Sequence, residues 1–248
     1  MIRLYIADIA ALSDAAVYRS YFQKIDAVRQ EKVRQCINEA DKKRSLLAGY
    51  LLQAGVADLQ TQESGLQADA IPLSFAYSFG ENGKPYFNNY PDIYFSLSHS
   101  GDHVICAISE EEVGADIQEH RGVKSGIAAR FFSEEDKKNL EQAGASGGEK
   151  LSVASFYRMW AVKEAHMKLT GMGMKQGMDT TAIRFVKERP GEKEYVRGGI
   201  VRQGKEKNIA YFQICDKMEK YSIAVCSYSE IADITIKEIM VVESQQGR

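Results

Sequence analysis

One predicted helix, Phe156–Gly173, constrains this chain more than any other stretch. Its sequence, FYRMWAVKEAHMKLTGMG, is rich in the good helix formers Ala, Met, Leu, Lys and Glu, and the next proline is Pro190. Gly171 and Gly173 are expected to end it, because glycine adopts the left-handed conformation that a helix C-terminus needs. The rest of the chain must therefore provide surfaces against which this helix packs.

One face of this helix carries an aromatic ring and two opposite charges. Trp160, Glu164 and Lys168 recur every four residues and so share a face. Lys163 lies about 100° round the helix from Glu164. Taken alone, these residues favour a solvated Glu–Lys pair that stabilises the helix by about 0.2–0.5 kcal/mol. A catalytic role requires partners from other segments.

Composition and charge exclude several classes of protein. The 248 residues are 44% hydrophobic and 27% charged, which is ordinary for a globular protein in water. A net charge of −2 gives no general attraction to nucleic acid, and no apolar run is long enough to span a membrane. The N-terminal stretch is a poor signal peptide because Asp8 interrupts it. Four scattered cysteines predict reduced thiols in a cytoplasmic protein.

The remaining segments alternate between helical and strand patterns. Helices are predicted across Asp14–Gln60, and Asn-Gly within Glu81–Phe87 predicts a tight turn. Ser133 and Asp136 are spaced as in a helix capping box. Helix followed by sheet occurs twice, which suits two similar α+β halves that meet near Ser109–Glu112. Strands are predicted at Ile2–Ile9, Ser74–Phe79, Ile93–Ser98, Val104–Ser109, Val113–Ile117, Ala182–Val186, Gly198–Val201, Ile209–Cys215, Tyr221–Ser227 and Ile234–Val242.

Several polar residues outside the long helix are candidates for a site, and each has an ordinary alternative. The basic segment Lys24–Leu46 suits an anionic small molecule or is a solvated helix face. Lys84, fixed between a glycine and a proline, suits a phosphate or is a solvated turn residue. His99, where a strand ends, binds a ligand or the turn itself. Asp116, between apolar neighbours, must point outward, pair with another group or hold a cation.

Four separated segments together resemble one family. They are GKP at Gly83–Pro85, FSLSHS at Phe95–Ser100, GADI at Gly114–Ile117 and WAVKEAHMK at Trp160–Lys168. Their order and character resemble the Sfp-type 4'-phosphopantetheinyl transferases. The upstream run Arg29–Leu47 resembles the coenzyme A-binding segment of that family. Each motif alone is weak, whereas their order is specific.

The resemblance implies a fold and an activity. The expected fold is α+β, with two similar subdomains related by a pseudo-twofold axis, spanning residues 1–110 and 111–248, and an active site at their junction. The expected reaction transfers 4'-phosphopantetheine from coenzyme A to a serine of an apo acyl or peptidyl carrier protein and releases adenosine 3',5'-bisphosphate. A cytoplasmic monomer without nucleic-acid or membrane partners is expected.

The resemblance also implies roles for individual residues. Asp116 and Glu164 match the metal ligands for Mg²⁺, with Mn²⁺ as an alternative. Gln118 stands where the family has a third acid, and it binds the metal directly or through water. Glu164, Lys168 and Asp116 are the expected catalytic residues, and Glu164 is either a metal ligand, the general base or both. The residues expected to bind coenzyme A are Arg29, Lys32, Arg44, Ser45, Lys84, Ser98, His99, Lys163 and Lys168.

Two other functions fit the same sequence. Because Gln118 replaces an acid, the chain is alternatively a non-catalytic regulator that binds coenzyme A or a nucleotide on the same scaffold. A third interpretation is a structural protein-interaction domain, which predicts no thermal shift on adding coenzyme A. Which carrier protein is served, from fatty-acid, polyketide or peptide synthesis, is left open by the sequence.

Overall fold

The computed structural model describes residues 1–64, 73–122, 126–145, 153–186, 195–215 and 217–242. The chain divides into two compact units, and one unit consists of Met1–Ser78, Pro85–Glu111 and Asp233–Arg248 while the other consists of Phe79–Lys84 and Glu112–Ala232. These units differ from the predicted subdomain bounds at three places: the turn segment Phe79–Lys84, the boundary residue Glu111 and the end of the chain. No helix in the described part of the chain is both long and apolar enough to cross a membrane.

The first unit is a four-stranded sheet with helices packed on it. Its strand order is β11-β1-β5-β4, and β11 is parallel to β1 whereas the other neighbours are antiparallel. The last strand belongs here because it pairs with the first, with Ile2 opposite Ile234. A separate short pair joins β2 and β3. The elements are β1 (Ile2–Asp8), α1 (Ala15–Gln23), α2 (Ala27–Gln35), α3 (Glu39–Ser64), β2 (Tyr77–Phe79), β3 (Pro85–Phe87), β4 (Tyr94–Ser100), β5 (His103–Ser109) and β11 (Ile234–Glu238).

Local sequence explains where the helices of the first unit begin. The Asp14 carboxylate accepts hydrogen bonds from the amides of Ala16 and Val17, which caps α1. Asn38 caps α3 in the same way, by accepting from the amide of Asp41. The apolar side of α3 then packs on β5, β1 and β4. Its buried residues include Leu46, Leu47, Leu51, Leu52, Val56 and Leu59.

The second unit is a five-stranded antiparallel sheet covered by one long helix. The strand order is β6-β10-β9-β8-β7. The long helix α6 packs on β6, β10 and β9. The elements are β6 (Val113–Glu119), α4 (Ile127–Phe131), α5 (Glu134–Ala145), α6 (Val153–Thr170), β7 (Thr181–Phe185), β8 (Tyr195–Arg202), β9 (Asn208–Cys215) and β10 (Tyr221–Ser227).

The predicted long helix is present as α6. It begins at Val153, slightly earlier than the sequence pattern suggests, and ends at Thr170. Gly171 and Gly173 follow it with φ angles of 67° and 56°, so the glycine stop occurs where it was predicted. The α+β fold class is confirmed, while the pseudo-twofold relation of the halves stays a prediction.

Gly114 allows strand β6 to approach α6 very closely. A Cβ atom at this position would lie 2.0 Å from the carbonyl oxygen of Ala165 and 2.5 Å from the amide nitrogen of Leu169. Any side chain would therefore push the strand away from the backbone of the helix. Because side chains alternate along a strand, Asp116 lies on the same face as Gly114 and is brought against α6.

We expect Gly114→Ala to lower the free energy of unfolding by about 3 kcal/mol, because the added methyl group overpacks a contact with rigid backbone. Urea unfolding followed by circular dichroism measures this change. Gly122→Ala is the matched control, since a Cβ there meets nothing within 4 Å. Equal stability of the two variants would contradict the assignment of Gly114 as a packing glycine.

Candidate active site

Asp116 is the centre of a polar cluster between β6 and α6. Its side chain is almost fully buried, and Lys168 of α6 brings its Nζ within 2.7 Å of the Oδ1 atom. Gln118, on the same face of β6, donates from Nε2 to Oδ2 at 2.7 Å. Both carboxylate oxygens therefore have a partner, and the buried negative charge is balanced by the ammonium of Lys168.

Glu164 lies one helical turn before Lys168 and is half-buried. Burial raises the pKa of its carboxyl group, the negative charge of Asp116 raises it further, and Lys168 lowers it. Among the described residues, Glu164 makes no hydrogen bond or ion pair. The structure thus brings a second carboxylate close enough to Asp116 for the two charges to repel each other, and the ammonium of Lys168 offsets this repulsion only in part.

This donor set fits a magnesium ion. Mg²⁺ in proteins commonly takes one or two carboxylates and completes its shell with water and substrate phosphates. Asp116 and Glu164 offer two, and the described residues contain no cluster of three or more His, Cys, Asp or Glu that would make a closed metal cage. Gln118 directs its amide nitrogen to Asp116, so a metal would meet its oxygen or a water bound to it. Metal binding by these residues stays a prediction.

Lys163, predicted to bind coenzyme A, lies elsewhere. Its side chain is 2% exposed, and its Nζ is 2.6 Å from the Oδ2 atom of Asp136. The same Nζ donates to the carbonyl of Met178 at 2.9 Å and to the carbonyl of Thr181. We therefore assign Lys163 to the interior of the second unit, because its ammonium has no exposed side with which to meet a phosphate.

Lys84 is also engaged within the second unit. Its Nζ donates to the Leu169 carbonyl at 2.6 Å and contacts the Glu112 carboxylate at 2.7 Å. A lysine at this position satisfies a carbonyl at the C-terminal end of α6, where a positive charge is favourable. The side chain is only 9% exposed. Its predicted contact with coenzyme A stays a prediction, and in this structure it holds the end of the helix.

Arg44, Ser45 and His99 are predicted coenzyme A ligands of the first unit. Arg44 donates from Nη1 to the Gly101 carbonyl at 3.0 Å and pairs with Asp41, whose pKa is lowered by these contacts and by His99. The Nε of Arg44 and the Oγ of Ser45 are buried without a hydrogen-bond partner among the described residues. Such orphaned donors are uncommon in folded proteins. Because both atoms are buried, a ligand would reach them only if the side chains moved.

Arg29, Lys32 and Ser98 complete the predicted ligands of the first unit. Arg29 is buried, and its guanidinium carbon lies 5.9 Å from the ring centroid of Tyr77. Lys32 is exposed, yet desolvation of its ammonium and the nearby charge of Arg29 lower its pKa. The Ser98 side chain is buried in β4. The neighbouring positive charges of Arg29 and Lys32 favour an anion beside them. Ser98, in contrast, is buried and offers no exposed contact.

The chain resembles known proteins over most of its length. A family model described as the 4'-phosphopantetheinyl transferase superfamily matches residues 112–226. This match contains both β6 and α6, with Asp116, Gln118, Glu164 and Lys168. The chain belongs to the 4'-phosphopantetheinyl transferase superfamily.

Bacterial transferases show the same relationship. A 4'-phosphopantetheinyl transferase of Bacillus subtilis is 27% identical over 203 residues, covering 82% of each chain. The transferase gsp of Aneurinibacillus migulanus is 26% identical over 245 residues, which cover 98% of this chain and 93% of gsp. The transferase Sfp of Bacillus subtilis strain 168 is 30% identical over 161 residues, or 65% of this chain and 66% of Sfp. The resemblance to Sfp-type transferases is therefore confirmed.

Sequence reasoning missed the tertiary contacts of Asp136, Glu112 and Gly114. The capping box of Ser133 and Asp136 is present, since the amide of Asp136 donates to Ser133 Oγ at 3.2 Å and the amide of Ser133 donates to Asp136 Oδ2 at 3.1 Å. That Asp136 also pairs with Lys163 has no local signal, because the two are far apart in sequence. Glu112, which contacts Lys84, was predicted only as part of the boundary between the two halves. Gly114 belonged to a recognised motif, but its packing role was not predicted.

His166, in the same helix, gives the transferase a pH-dependent stability. Its side chain is 2% exposed. Burial and the nearby charge of Lys163 lower the pKa of His166 to about 4. In the unfolded chain this histidine has an ordinary pKa of about 6.5. Between pH 6.5 and 4 it is therefore protonated in the unfolded chain and neutral in the folded protein. The stability due to His166 is therefore complete above pH 6.5 and is lost as the pH falls towards 4.

We expect His166→Gln, which cannot titrate, to remove this dependence. Between pH 7 and pH 4, the free energy of unfolding of the wild type should fall by about 3 kcal/mol more than that of the variant. Urea denaturation at several pH values measures the difference, in which the carboxylates common to both proteins cancel. If the stability of the two proteins changed with pH in the same way, the pKa of His166 would be the same in the folded and unfolded states.

Proposed function

We propose that this transferase moves 4'-phosphopantetheine from coenzyme A to the serine hydroxyl of an apo acyl or peptidyl carrier protein. Membership of the family supports the activity, and one structural observation supports its location. Asp116 on β6 and Glu164 and Lys168 on α6 form a single charged cluster inside the region that the family model matches. Adenosine 3',5'-bisphosphate is the proposed second product.

The chemistry requires positive charge beside the reacting phosphates and a group that accepts the serine proton. We assign the base to the Glu164 carboxylate, whose raised pKa brings its basicity closer to that needed near neutral pH. The hydroxyl oxygen attacks the phosphorus that carries the pantetheine, its proton passes to Glu164, and the bond to the leaving phosphate breaks. Lys168, held by Asp116, is proposed to stabilise negative charge on the phosphates.

Asp116 and Glu164 would hold Mg²⁺, with Gln118 contributing through its oxygen or a bound water. When bound, this ion would neutralise phosphate charge and orient the diphosphate. A cation would also relieve the repulsion between the two carboxylates, which Lys168 offsets only in part. Because Gln118 supplies no charge, Mn²⁺ remains an alternative ion in this proposal.

Recognition of coenzyme A is proposed for the basic segment of the first unit. The Nε of Arg44 and the Oγ of Ser45 lack a partner among the described residues. Both atoms are buried, so they would reach phosphate oxygens, which are strong acceptors, only if the side chains moved on binding. Lys32, beside Arg29, adds positive charge. Removing phosphate contacts of this kind should weaken the binding of coenzyme A more than the chemical step.

The proposal extends to the protein's state in the cell. We propose a cytoplasmic monomer without nucleic-acid or membrane partners. Its four cysteines are free thiols, three of them buried, which supports a reducing compartment. The net charge of −2 supports the absence of general nucleic-acid binding.

An adduct assay tests the transfer directly. The purified protein, coenzyme A and Mg²⁺ are incubated with apo carrier proteins from fatty-acid, polyketide and peptide synthesis. Intact-mass spectrometry should show the carrier gaining one phosphopantetheine group on its serine. Coenzyme A binding without an adduct on any carrier, in Mg²⁺ or Mn²⁺, would instead favour a non-catalytic regulator. This is the second candidate function, because Gln118 stands where the family has an acid. No binding at all would contradict both.

We expect Glu164→Gln to lower kcat by about 10²-fold or more, because it removes the proposed base and one carboxylate from the site. The dissociation constant for coenzyme A should change by less than about threefold, since the proposed ligands of coenzyme A in the first unit are intact. Isothermal titration calorimetry and the adduct assay measure the two quantities. The exposed Glu134 provides the control, as Glu134→Gln removes a carboxylate from α5 and should leave both unchanged. An unaltered kcat in Glu164→Gln would remove Glu164 from the catalytic account.

A further inference from the structure

A buried ion pair includes the residue that precedes the proposed base in the sequence. Lys163 immediately precedes Glu164, and its Nζ is 2.6 Å from the Oδ2 atom of Asp136. The two side chains are 2% and 0% exposed. Charges are buried in this way only when they are paired and hydrogen-bonded, so the contact is a strong constraint on the local structure.

The pair is the centre of a larger hydrogen-bond network. On one side, Asp136 accepts from the amide of Ile183 at 2.8 Å through Oδ1 and from the Ser133 hydroxyl at 2.6 Å through Oδ2. On the other side, Lys163 donates to the carbonyls of Met178 and Thr181. The network therefore joins three elements of the second unit: α6, the N-terminus of α5 and the beginning of β7.

The network contacts a different side of α6 from the side that carries Glu164. Neighbouring helical residues point about 100° apart, so Lys163 is directed to α5 and β7 while Glu164 lies near Asp116 of β6. Fixing one direction fixes the other. A small rotation of the helix would move the Glu164 carboxylate away from the place where it meets Asp116.

We infer that Lys163 and Asp136 form a positioning pair, which holds α6 in the rotation that places Glu164 beside Asp116. This inference rests on the proposed function for the effect on turnover, and on geometry alone for the effect on α6. It replaces the direct coenzyme A contact that sequence reasoning gave to Lys163. Lys163 and Asp136 touch no substrate in this account and act only through Glu164.

Three variants test the pair by its coupling. Lys163→Met and Asp136→Asn each remove one charge, and the double variant removes both and leaves no buried charge unpaired. We expect each single variant to lower kcat by about 10²-fold, as a small misplacement of a reacting group does. The KM for coenzyme A should change by less than about threefold. The double variant should be no slower than the slower single variant, because both substitutions break the same interaction.

The only tryptophan of the chain gives a readout that does not depend on activity. Trp160 precedes Glu164 by one turn of α6, and its ring centroid lies 5.4 Å from that of Phe131 in α4. Rotation of α6 should change the fluorescence and acrylamide quenching of Trp160 in both single variants. Should the wild type form no carrier adduct, the proposed function fails, and the Trp160 signal still tests the positioning pair.

Controls separate positioning from loss of stability. Lys137→Met breaks a surface pair on α5, in which the Nζ of Lys137 lies 2.7 Å from the Oε1 of Glu134, and it should change neither kcat nor fluorescence. Ile214→Val, which trims the core of the same unit, should lower stability without lowering kcat. All assays are made at a temperature at which circular dichroism shows each variant folded. If Lys163→Met does not fold, Asp136→Asn and the double variant provide the comparison.

Three results would overturn the inference. An increase in the KM for coenzyme A with kcat unchanged in Lys163→Met would show a substrate contact. Independent, additive effects of the two single substitutions would show that they do not act as a pair. Folded single variants with wild-type kcat and Trp160 fluorescence would show that the pair stabilises the unit without positioning Glu164.

Discussion

The close packing of β6 on α6 at Gly114 is the constraint on which the candidate site depends. A Cβ atom there would lie 2.0 Å from a backbone carbonyl of the helix, so only glycine allows the strand this near. The consequence is electrostatic. Asp116, further along the same face, comes within 2.7 Å of Lys168 and close enough to Glu164 to raise its pKa. The proposed site for the diphosphate therefore depends on glycine at position 114.

The two carboxylates of the cluster differ in the number of their hydrogen-bond partners. Asp116 is satisfied on both oxygens, by Lys168 and Gln118, whereas Glu164 has no hydrogen-bond partner among the described residues. Burial and the nearby charge of Asp116 raise the pKa of the Glu164 carboxyl group, which makes it a stronger base. A divalent cation suits this arrangement, because it would neutralise negative charge that Lys168 offsets only in part.

Lys84, Lys163 and Lys168 have the same side chain and lie in three different environments. Lys163 is buried against Asp136, Lys84 caps the end of α6, and Lys168 reaches the proposed reaction site. All three read alike in the sequence, as cations available for phosphate. Burial separates them, since an ammonium without an exposed side contributes to the architecture and cannot contact a bound anion.

The sequence by itself determined the long helix and its glycine stop, the capping box at Ser133, the α+β class and, through the order of four short motifs, the family. These are local features, fixed by propensity, capping geometry and spacing. Only the tertiary structure decided that Lys168 and not Lys163 faces Asp116, and that the last strand pairs with the first. The physical reason is that α6 is buried on several sides, including Phe156, Val162 and Leu169. Helical periodicity gives the angle between two side chains, and which neighbour each one meets depends on packing between segments distant in sequence.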